Sequence, residues 1–194
     1  MTTPADPNAA RRMAIVDAAL QVFLRYGFKK TSMDDLARAA GLSRQGLYLH
    51  FPTKELLFKA AVQHTLEAMH SAFRAALAQD ERDIEERLVA AFDAIHGSAI
   101  GFKGSGNFDE LLELTATLMG PVEQERDAAV IADLSRALRQ AGVVGGRKGG
   151  GVSPNDLAEH LFSVSYGWKH RVTTADAYRD AMRIAVRIAC RGSR

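Results

Sequence analysis

The sequence predicts an all-α protein of about nine helices, and three observations support this expectation. Apolar residues recur at spacings of three and four along most of the chain, and no segment alternates apolar and polar residues as a strand does. Glycine, proline and capping residues separate the periodic segments. We expect a three-helix domain over residues 1–52 and a helical domain over residues 53–194, which begins with a long connecting helix.

The composition is that of an ordinary globular protein, but the charge is unevenly distributed. Hydrophobic residues make up 47% and charged residues 25% of the 194 residues, and the net charge is +2. Residues 1–60 contain nine lysines and arginines against five acidic residues, a net charge of +4, so the remainder carries −2. A basic N-terminal part followed by a near-neutral part is typical of a phosphate-binding domain attached to a second domain.

Several classes of protein are disfavoured by what the sequence lacks. The first residues contain no apolar signal region, and no run approaches the ~20 apolar residues of a membrane span, so we expect a cytoplasmic protein. Cys190 is the single cysteine, which excludes an intrachain disulfide. No two histidines are four residues apart, and no nucleophile motif is present. We therefore predict no enzymatic activity, no metal site and no cofactor.

Residues 31–54 have the pattern of two short helices joined by a tight corner. Gly41 supplies the corner because glycine adopts a left-handed conformation without a Cβ penalty. Ala37 is small enough for the second helix to cross closely, and three leucines fill the angle between the helices: Leu36, Leu42 and Leu47. Pro52 ends the second helix. This spacing predicts a helix-turn-helix.

The second helix of this motif leaves polar side chains on its outer face. Arginine and glutamine can recognise guanine and adenine edges, while tyrosine, histidine and lysine suit phosphate or base contacts. We expect Arg44 and Gln45 to contact bases. The full set of candidate DNA-binding residues is Thr31, Ser32, Arg44, Gln45, Gly46, Tyr48, Leu49, His50 and Lys54. The alternative is a helical hairpin that only packs, with a solvated polar face.

This segment and the helix before it resemble the DNA-binding domain of the TetR family of bacterial transcriptional regulators. The run LYLHFPTKELL is the most specific part of the resemblance, which covers about a quarter of the chain. The matching residues are Ile15, Ala18, Ala19, Phe23, Gly27, Thr31, Asp35, Ala37, Ala40, Gly41, Ser43, Leu47, Tyr48, His50, Phe51, Lys54 and Leu57. The resemblance implies a homodimer, a palindromic double-stranded DNA operator and a small-molecule effector that is bound by the second domain.

The second domain is expected to provide both the dimer interface and the ligand pocket. We predict a helix break at Gly120–Pro121 and a four-helix dimer interface from the helices near 154–171 and 174–190, with intrachain packing as the alternative. In the last helix we expect an inward face formed by Ala177, Ala181, Ile184, Ala185, Ile188 and Ala189.

Bulky and polar side chains of the second domain are candidates for a mainly apolar ligand pocket. They are Met69, Phe73, Phe92, His96, Leu112, Thr115, Phe162 and Tyr166, and at each position a simple core role is the alternative. We predict a ligand-responsive transcriptional repressor. The alternatives are an activator, a ligand-independent DNA-binding regulator, and a small-molecule-binding protein or enzyme with a vestigial helix-turn-helix.

Overall fold

The computed structural model describes residues 7–97, 100, 106–143 and 151–191. These residues contain eight α-helices and no strand, which confirms the all-α prediction. The helices are α1 Pro7–Tyr26, α2 Met33–Ala39, α3 Arg44–His50, α4 Lys54–Leu77, α5 Ile84–Ile95, α6 Gly106–Gln140, α7 Pro154–Arg171 and α8 Ala175–Arg191. Within the described ranges, no helix combines the length and apolar composition that crossing a lipid bilayer would require.

The chain packs into two compact units. The first unit contains Met1–Glu67 and Gly104–Gly120, and the second contains Ala68–Lys103 and Pro121–Arg194. The long helices α4 and α6 therefore contribute residues to both units. The first unit includes more of the chain than residues 1–52, and a functional boundary after Pro52 stays a prediction.

The core of the first unit is built around aromatic side chains. Phe23 of α1 and Phe58 of α4 meet edge to face with ring centroids 5.4 Å apart, and Phe28 contacts both rings. Such pairs add stabilisation beyond the burial of their area. The other fully or nearly fully buried residues of this core are Ile15, Val16, Ala19, Leu36, Ala37, Leu47, Phe51, Leu57, Ala61 and Leu111. Helices α1 to α3 are thereby fixed against one end of α4.

The core of the second unit contains a buried polar chain among apolar residues. Ser165 on α7 lies with its hydroxyl oxygen 2.6 Å from His96 Nδ1 and 2.5 Å from the Tyr178 hydroxyl on α8. All three residues are buried, and burial of their polar atoms is tolerated because each has a partner. The apolar residues around them include Phe73, Leu88, Phe92, Leu134, Leu138, Leu161, Phe162, Met182 and Val186.

The predicted break at Gly120–Pro121 is wrong, because the backbone of α6 is helical from Gly106 to Gln140. Proline inside a helix removes one hydrogen bond and costs about 3 kcal/mol. Packing at both ends of α6 offsets that cost: Leu111 and Met119 are buried before the proline, and Val130 and Leu134 after it. Helix stability in proteins comes mainly from such packing, so a local proline signal was overridden.

The predicted inward face of α8 is also wrong in part. Ile184 and Ile188 are 62% and 70% exposed in the single chain. The buried row is instead formed by the four residues Tyr178, Met182, Val186 and Cys190. The apolar side of α8 is wide enough to contain both rows, so the spacing alone did not identify the row that faces the chain's own core.

Candidate nucleic-acid interface

Local capping interactions define the corner between α2 and α3. The Ser32 hydroxyl accepts a hydrogen bond from the Asp35 backbone N–H, while the Asp35 carboxylate accepts one from the Ser32 N–H, which forms a capping box. The Ser32 hydroxyl also donates a 2.6 Å hydrogen bond to the Asp35 carboxylate, and this bond, followed by the one from the Ser32 N–H, lowers the pKa of Asp35 below its usual value. Gly41 has a φ of +64°, as the corner requires. Ser43 then caps α3 by accepting a bond from the Gly46 N–H.

Helix α3 is anchored on one side and exposed on the other. Leu47 is fully buried in the first core, which fixes the rotation of the helix about its axis. The opposite side exposes Arg44, Gln45, Tyr48 and Leu49, and the Leu49 side chain is 83% exposed. Arginine, glutamine and a thymine-contacting apolar group are the side chains that recognise bases in the major groove. Four of the nine candidate residues are therefore brought together on one accessible surface.

Two further candidates lie at the edge of this surface. Gly46 and His50 are only partly exposed, because they lie on the flanks of α3 next to the buried Leu47. The backbone of Gly46 is already engaged by the Ser43 cap. The His50 carbonyl accepts a hydrogen bond from Arg12 Nη1 at 2.7 Å, and the Arg12 guanidinium also lies 3.9 Å from the centroid of the Phe51 ring. Arg12 thus fixes the C-terminal end of α3 to α1.

The two candidates before α2 differ in their accessibility. Thr31 is 3% exposed, and its hydroxyl donates a 2.6 Å hydrogen bond to the Gly27 carbonyl. Its side chain is thus occupied inside the first unit, which favours a structural role. Ser32 is exposed at the N-terminus of α2. Because its side chain is accessible, Ser32 is the better placed of the two for a phosphate contact.

Lys54, another phosphate candidate, is directed toward the protein itself. Its Nζ donates hydrogen bonds to the carbonyl oxygens of Phe28 and Thr31 at 2.9 and 2.8 Å. The ammonium group also lies 4.2 Å from the centroid of the Phe28 ring. Lys54 therefore connects the start of α4 to the loop after α1. Its proposed contact with DNA stays a prediction, and these bonds assign it an internal role as well.

We expect the substitution Lys54→Met to lower the free energy of unfolding by about 1–2 kcal/mol. The variant loses a charged donor that satisfies two carbonyl groups, while methionine keeps most of the apolar stem. Thermal unfolding followed by circular dichroism measures the change. Lys30→Met is the matched control, because Lys30 is exposed in the same loop region. Equal stability of the two variants would contradict the internal role of Lys54.

Sequence reasoning missed a contact of Arg44. Its Nη1 donates to the Asp34 carboxylate on α2 at 3.3 Å, and its guanidinium lies 5.7 Å from the centroid of the Tyr48 ring, one turn along α3. The Tyr48 hydroxyl, followed by the charge of Asp34, raises the pKa of Arg44 above its usual value. No local pattern joins residues ten positions apart across a corner, so this pair could not be predicted from the spacing of residues.

The predicted ligand-pocket residues are divided between the two units. Leu112 and Thr115 belong to the first unit, where Thr115 is buried and donates its hydroxyl to the Leu111 carbonyl. The remaining candidates belong to the second unit. Three of these lie together, since the His96 ring centroid is 5.7 Å from that of Phe162 and 6.2 Å from that of Tyr166.

The other three candidates are placed mainly for packing. Phe73 and Phe92 are fully buried in the second core, and Met69 is half-buried on α4. The second unit also has a groove of about 520 Å³ between α5 and α8. The groove contains none of the predicted pocket residues and is lined mostly by charged side chains: Arg82, Asp83, Glu85, Glu86, Val89, Ala90, Asp93, Arg179, Arg183 and Arg187. Such a lining does not suit a mainly apolar ligand.

Comparisons with known proteins agree with the helix-turn-helix geometry. Residues 15–61 match the family model described as bacterial regulatory proteins, tetR family. Among solved structures, a TetR-family transcriptional regulator from Pectobacterium atrosepticum superposes with a TM-score of 0.66 at 22% identity, covering 99% of this chain and 97% of that one. AibR, in complex with isovaleryl coenzyme A and operator DNA, superposes with a TM-score of 0.57 at 23% identity, covering 89% and 96%. At these identities the likeness establishes the fold.

Curated relatives share more of the sequence over shorter stretches. The HTH-type transcriptional repressor ComR of Escherichia coli is 33% identical over 46% of this chain, and the activator FasR of Mycolicibacterium smegmatis is 35% identical over 50%. The chain spans 42% and 46% of the lengths of these two proteins. The regulator TtgW of Pseudomonas putida is 34% identical over 52% of this chain and 71% of its own length. The chain therefore belongs to the TetR family of transcriptional regulators.

Proposed function

We propose that the protein is a cytoplasmic, homodimeric, sequence-specific DNA-binding repressor that leaves its operator when the second unit binds a small, mainly apolar ligand. The observation that carries the DNA-binding part is the exposed face of α3. Arg44 and Gln45 project from the first turn of a helix that Leu47 fixes to the core, as a recognition helix requires. Tyr48, Leu49 and Ser32 complete the surface, and Thr31 is left out of it because its side chain is buried.

A dimer would place two such helices in successive major grooves. Recognition helices of helix-turn-helix dimers are separated by one helical repeat of DNA, ~34 Å, and the two-fold symmetry of the dimer makes the operator a palindrome. The exposed isoleucines of α8, Ile184 and Ile188, together with the half-exposed Tyr166 of α7, support a dimer interface on these two helices. The two isoleucines are apolar side chains that the single chain leaves mostly uncovered.

Release by a ligand requires the ligand to prefer the state that does not bind DNA, since only differential affinity shifts an equilibrium. His96, Phe162 and Tyr166 support a binding site in the second unit, because a nearly buried imidazole beside two aromatic rings can orient a mainly apolar molecule. The complex of AibR with both a ligand and operator DNA supports ligand control by analogy. ComR is a repressor and FasR an activator, so the sign of regulation rests on the position of the operator.

The proposed function is tested by selecting duplexes from a randomised pool with the purified protein, followed by gel shifts. We expect a palindromic consensus. Arg44→Ala should weaken binding to it roughly tenfold to hundredfold and relax the preference at one base pair of each half-site. Arg38→Ala, which removes an exposed arginine from α2, is the control and should weaken binding to all sequences evenly. A pool that remains random after selection would contradict sequence-specific binding.

A regulator without ligand control is the second candidate, because Phe73 and Phe92 are fully buried as ordinary core residues. The two candidates differ in their thermal behaviour. A ligand that binds only the folded state stabilises it by RT ln(1 + L/Kd), where L is the free ligand concentration, so the melting temperature rises with the logarithm of that concentration once it exceeds the dissociation constant. A metabolite library that gives no such stabilisation, with operator binding intact, would favour the ligand-independent regulator.

A further inference from the structure

The contact between Asp34 and Arg44 joins the helix that precedes the corner to the first residue of the proposed recognition helix. Asp34 Oδ2 lies 3.3 Å from Arg44 Nη1, and the two side chains are 51% and 62% exposed. The guanidinium carbon also lies 5.7 Å from the centroid of the Tyr48 ring. The group that we expect to contact a base therefore already contacts a carboxylate and lies near an aromatic ring before any DNA is present.

This ion pair is poorly suited to stabilise the fold. Exposed pairs gain little because water screens their charges and because two long side chains lose conformational freedom. The same restriction of Arg44 becomes useful when it binds DNA, since a side chain that is already oriented loses less entropy on binding. A guanidinium has five N–H donors in a fixed plane, so a contact of one edge with a carboxylate leaves donors for the O6 and N7 atoms of guanine.

The carboxylate also has an unfavourable effect on DNA binding. A negative charge at the protein surface that faces DNA repels the phosphates, whatever the base sequence. Asp34 would therefore weaken binding to all duplexes while it increases the discrimination between bases at the position that Arg44 contacts. A substitution of Asp34 should thus raise the affinity and lower the discrimination, whereas a general loss of folding would lower both.

We propose that Asp34 is a positioning residue that sets base specificity by holding the Arg44 guanidinium in the orientation that binds guanine, at the expense of overall DNA affinity. The inference rests on the proposed function, because it requires α3 to bind in a major groove. It adds to that function a residue outside the recognition helix that determines what the helix recognises.

The test uses the full-length protein and three duplexes in fluorescence anisotropy at two salt concentrations. The duplexes are the selected operator, the same operator changed at the base pair where Arg44→Ala loses its preference, and an unrelated sequence. We expect Asp34→Ala to bind the unrelated duplex a few times more tightly and to lose at least about threefold of the discrimination at that base pair. Asp34→Asn should match Asp34→Ala on the unrelated duplex but keep part of the discrimination, because its amide oxygen still accepts from Arg44.

The controls distinguish positioning from an indirect effect. Asp17→Ala removes an exposed acidic residue from α1, and should leave discrimination at that base pair unchanged. In an Arg44→Ala background, Asp34→Ala should have no further effect on discrimination, because the group it orients is missing.

Loss of discrimination in that background, or an equal loss at every base pair, would overturn the role of Asp34. Unchanged discrimination in Asp34→Ala would also overturn the role of Asp34, but it would leave the proposed sequence-specific binding unaffected. A wild-type protein without base preference would instead refute the proposed function and, with it, the inference.

Discussion

The double substitution Ile184→Arg and Ile188→Arg is expected to make the protein monomeric and to lower its affinity for the operator at least about a hundredfold. The two isoleucines lie four residues apart and 62% and 70% exposed, so they form one row on the outer side of α8. Fully burying an exposed isoleucine contributes about 1.5–3 kcal/mol. About two thirds of each side chain is still exposed, and a two-fold interface buries both residues in both subunits, so the four side chains contribute roughly 4–8 kcal/mol.

Arginine at these positions replaces that gain with four charges that would have to lose their water. A monomer presents one recognition helix and loses the effective concentration that joins two half-sites, which is where the fall in operator affinity comes from. The variant should still fold, because the row that packs inside the chain is a different one, which contains Tyr178, Met182 and Val186.

Sedimentation velocity gives the mass, and fluorescence anisotropy with the selected operator gives the affinity. Val152→Arg is the control, since Val152 is an exposed apolar residue outside α7 and α8, and it should remain dimeric. A dimeric double variant that binds the operator with unchanged affinity would show that the two-fold interface lies elsewhere on the protein.

The helix-turn-helix was predictable because its determinants lie close together in the sequence. Ser32 and Ser43 begin helices where their side chains cap them, and Gly41 turns where a positive φ is needed. Leu47 is buried in the first core, as its spacing from Leu36 and Leu42 predicts. Each local preference agrees with the packing of the first unit, which is the condition under which sequence patterns suffice.

The remaining features depend on which distant residues meet. Local rules predicted that a helix would end before Pro121. The α6 backbone is nevertheless helical through this residue, because α6 is packed on both sides of it. Helix α8 has two apolar rows, and only the fold decides that Tyr178 rather than Ile184 is buried. The contact between Asp34 and Arg44 likewise joins two helices, and the periodicity of the sequence does not predict it.

The buried polar chain of the second unit shows the same dependence, and it leads to a prediction about acid. His96, Ser165 and Tyr178 come from three places in the sequence and meet through hydrogen bonds of 2.6 and 2.5 Å. Burial, followed by the positive charges of Lys169, Arg126 and His170, lowers the pKa of His96 to about 3. Burial also raises the pKa of Tyr178, although its bond to Ser165 acts in the opposite direction.

A histidine with a lowered pKa makes the folded protein sensitive to acid. In the unfolded chain the imidazole titrates near its ordinary pKa of 6.5, whereas in the folded chain it stays neutral down to about pH 3. Between these values the unfolded state binds one more proton, so the free energy of unfolding decreases as the pH falls below 6.5. The slope approaches ~1.4 kcal/mol per pH unit, and we expect a loss of about 2 kcal/mol between pH 7 and pH 5 from this residue.

Urea unfolding followed by the fluorescence of Trp168 measures this loss in the second unit, because the chain has one tryptophan and it packs against the second core. His96→Gln should be less stable than the wild type at pH 7 but should lose far less stability between pH 7 and pH 5, since glutamine does not titrate. His160→Gln replaces an exposed histidine of α7 and should keep the pH dependence of the wild type. Carboxylates contribute little in this range because they titrate mainly below pH 5, so the difference between the two slopes isolates His96. The free energy of unfolding of the wild type and of His96→Gln is compared at one protein concentration. If it has the same slope against pH in both, His96 is protonated in the folded state at pH 5, which would contradict a neutral buried imidazole.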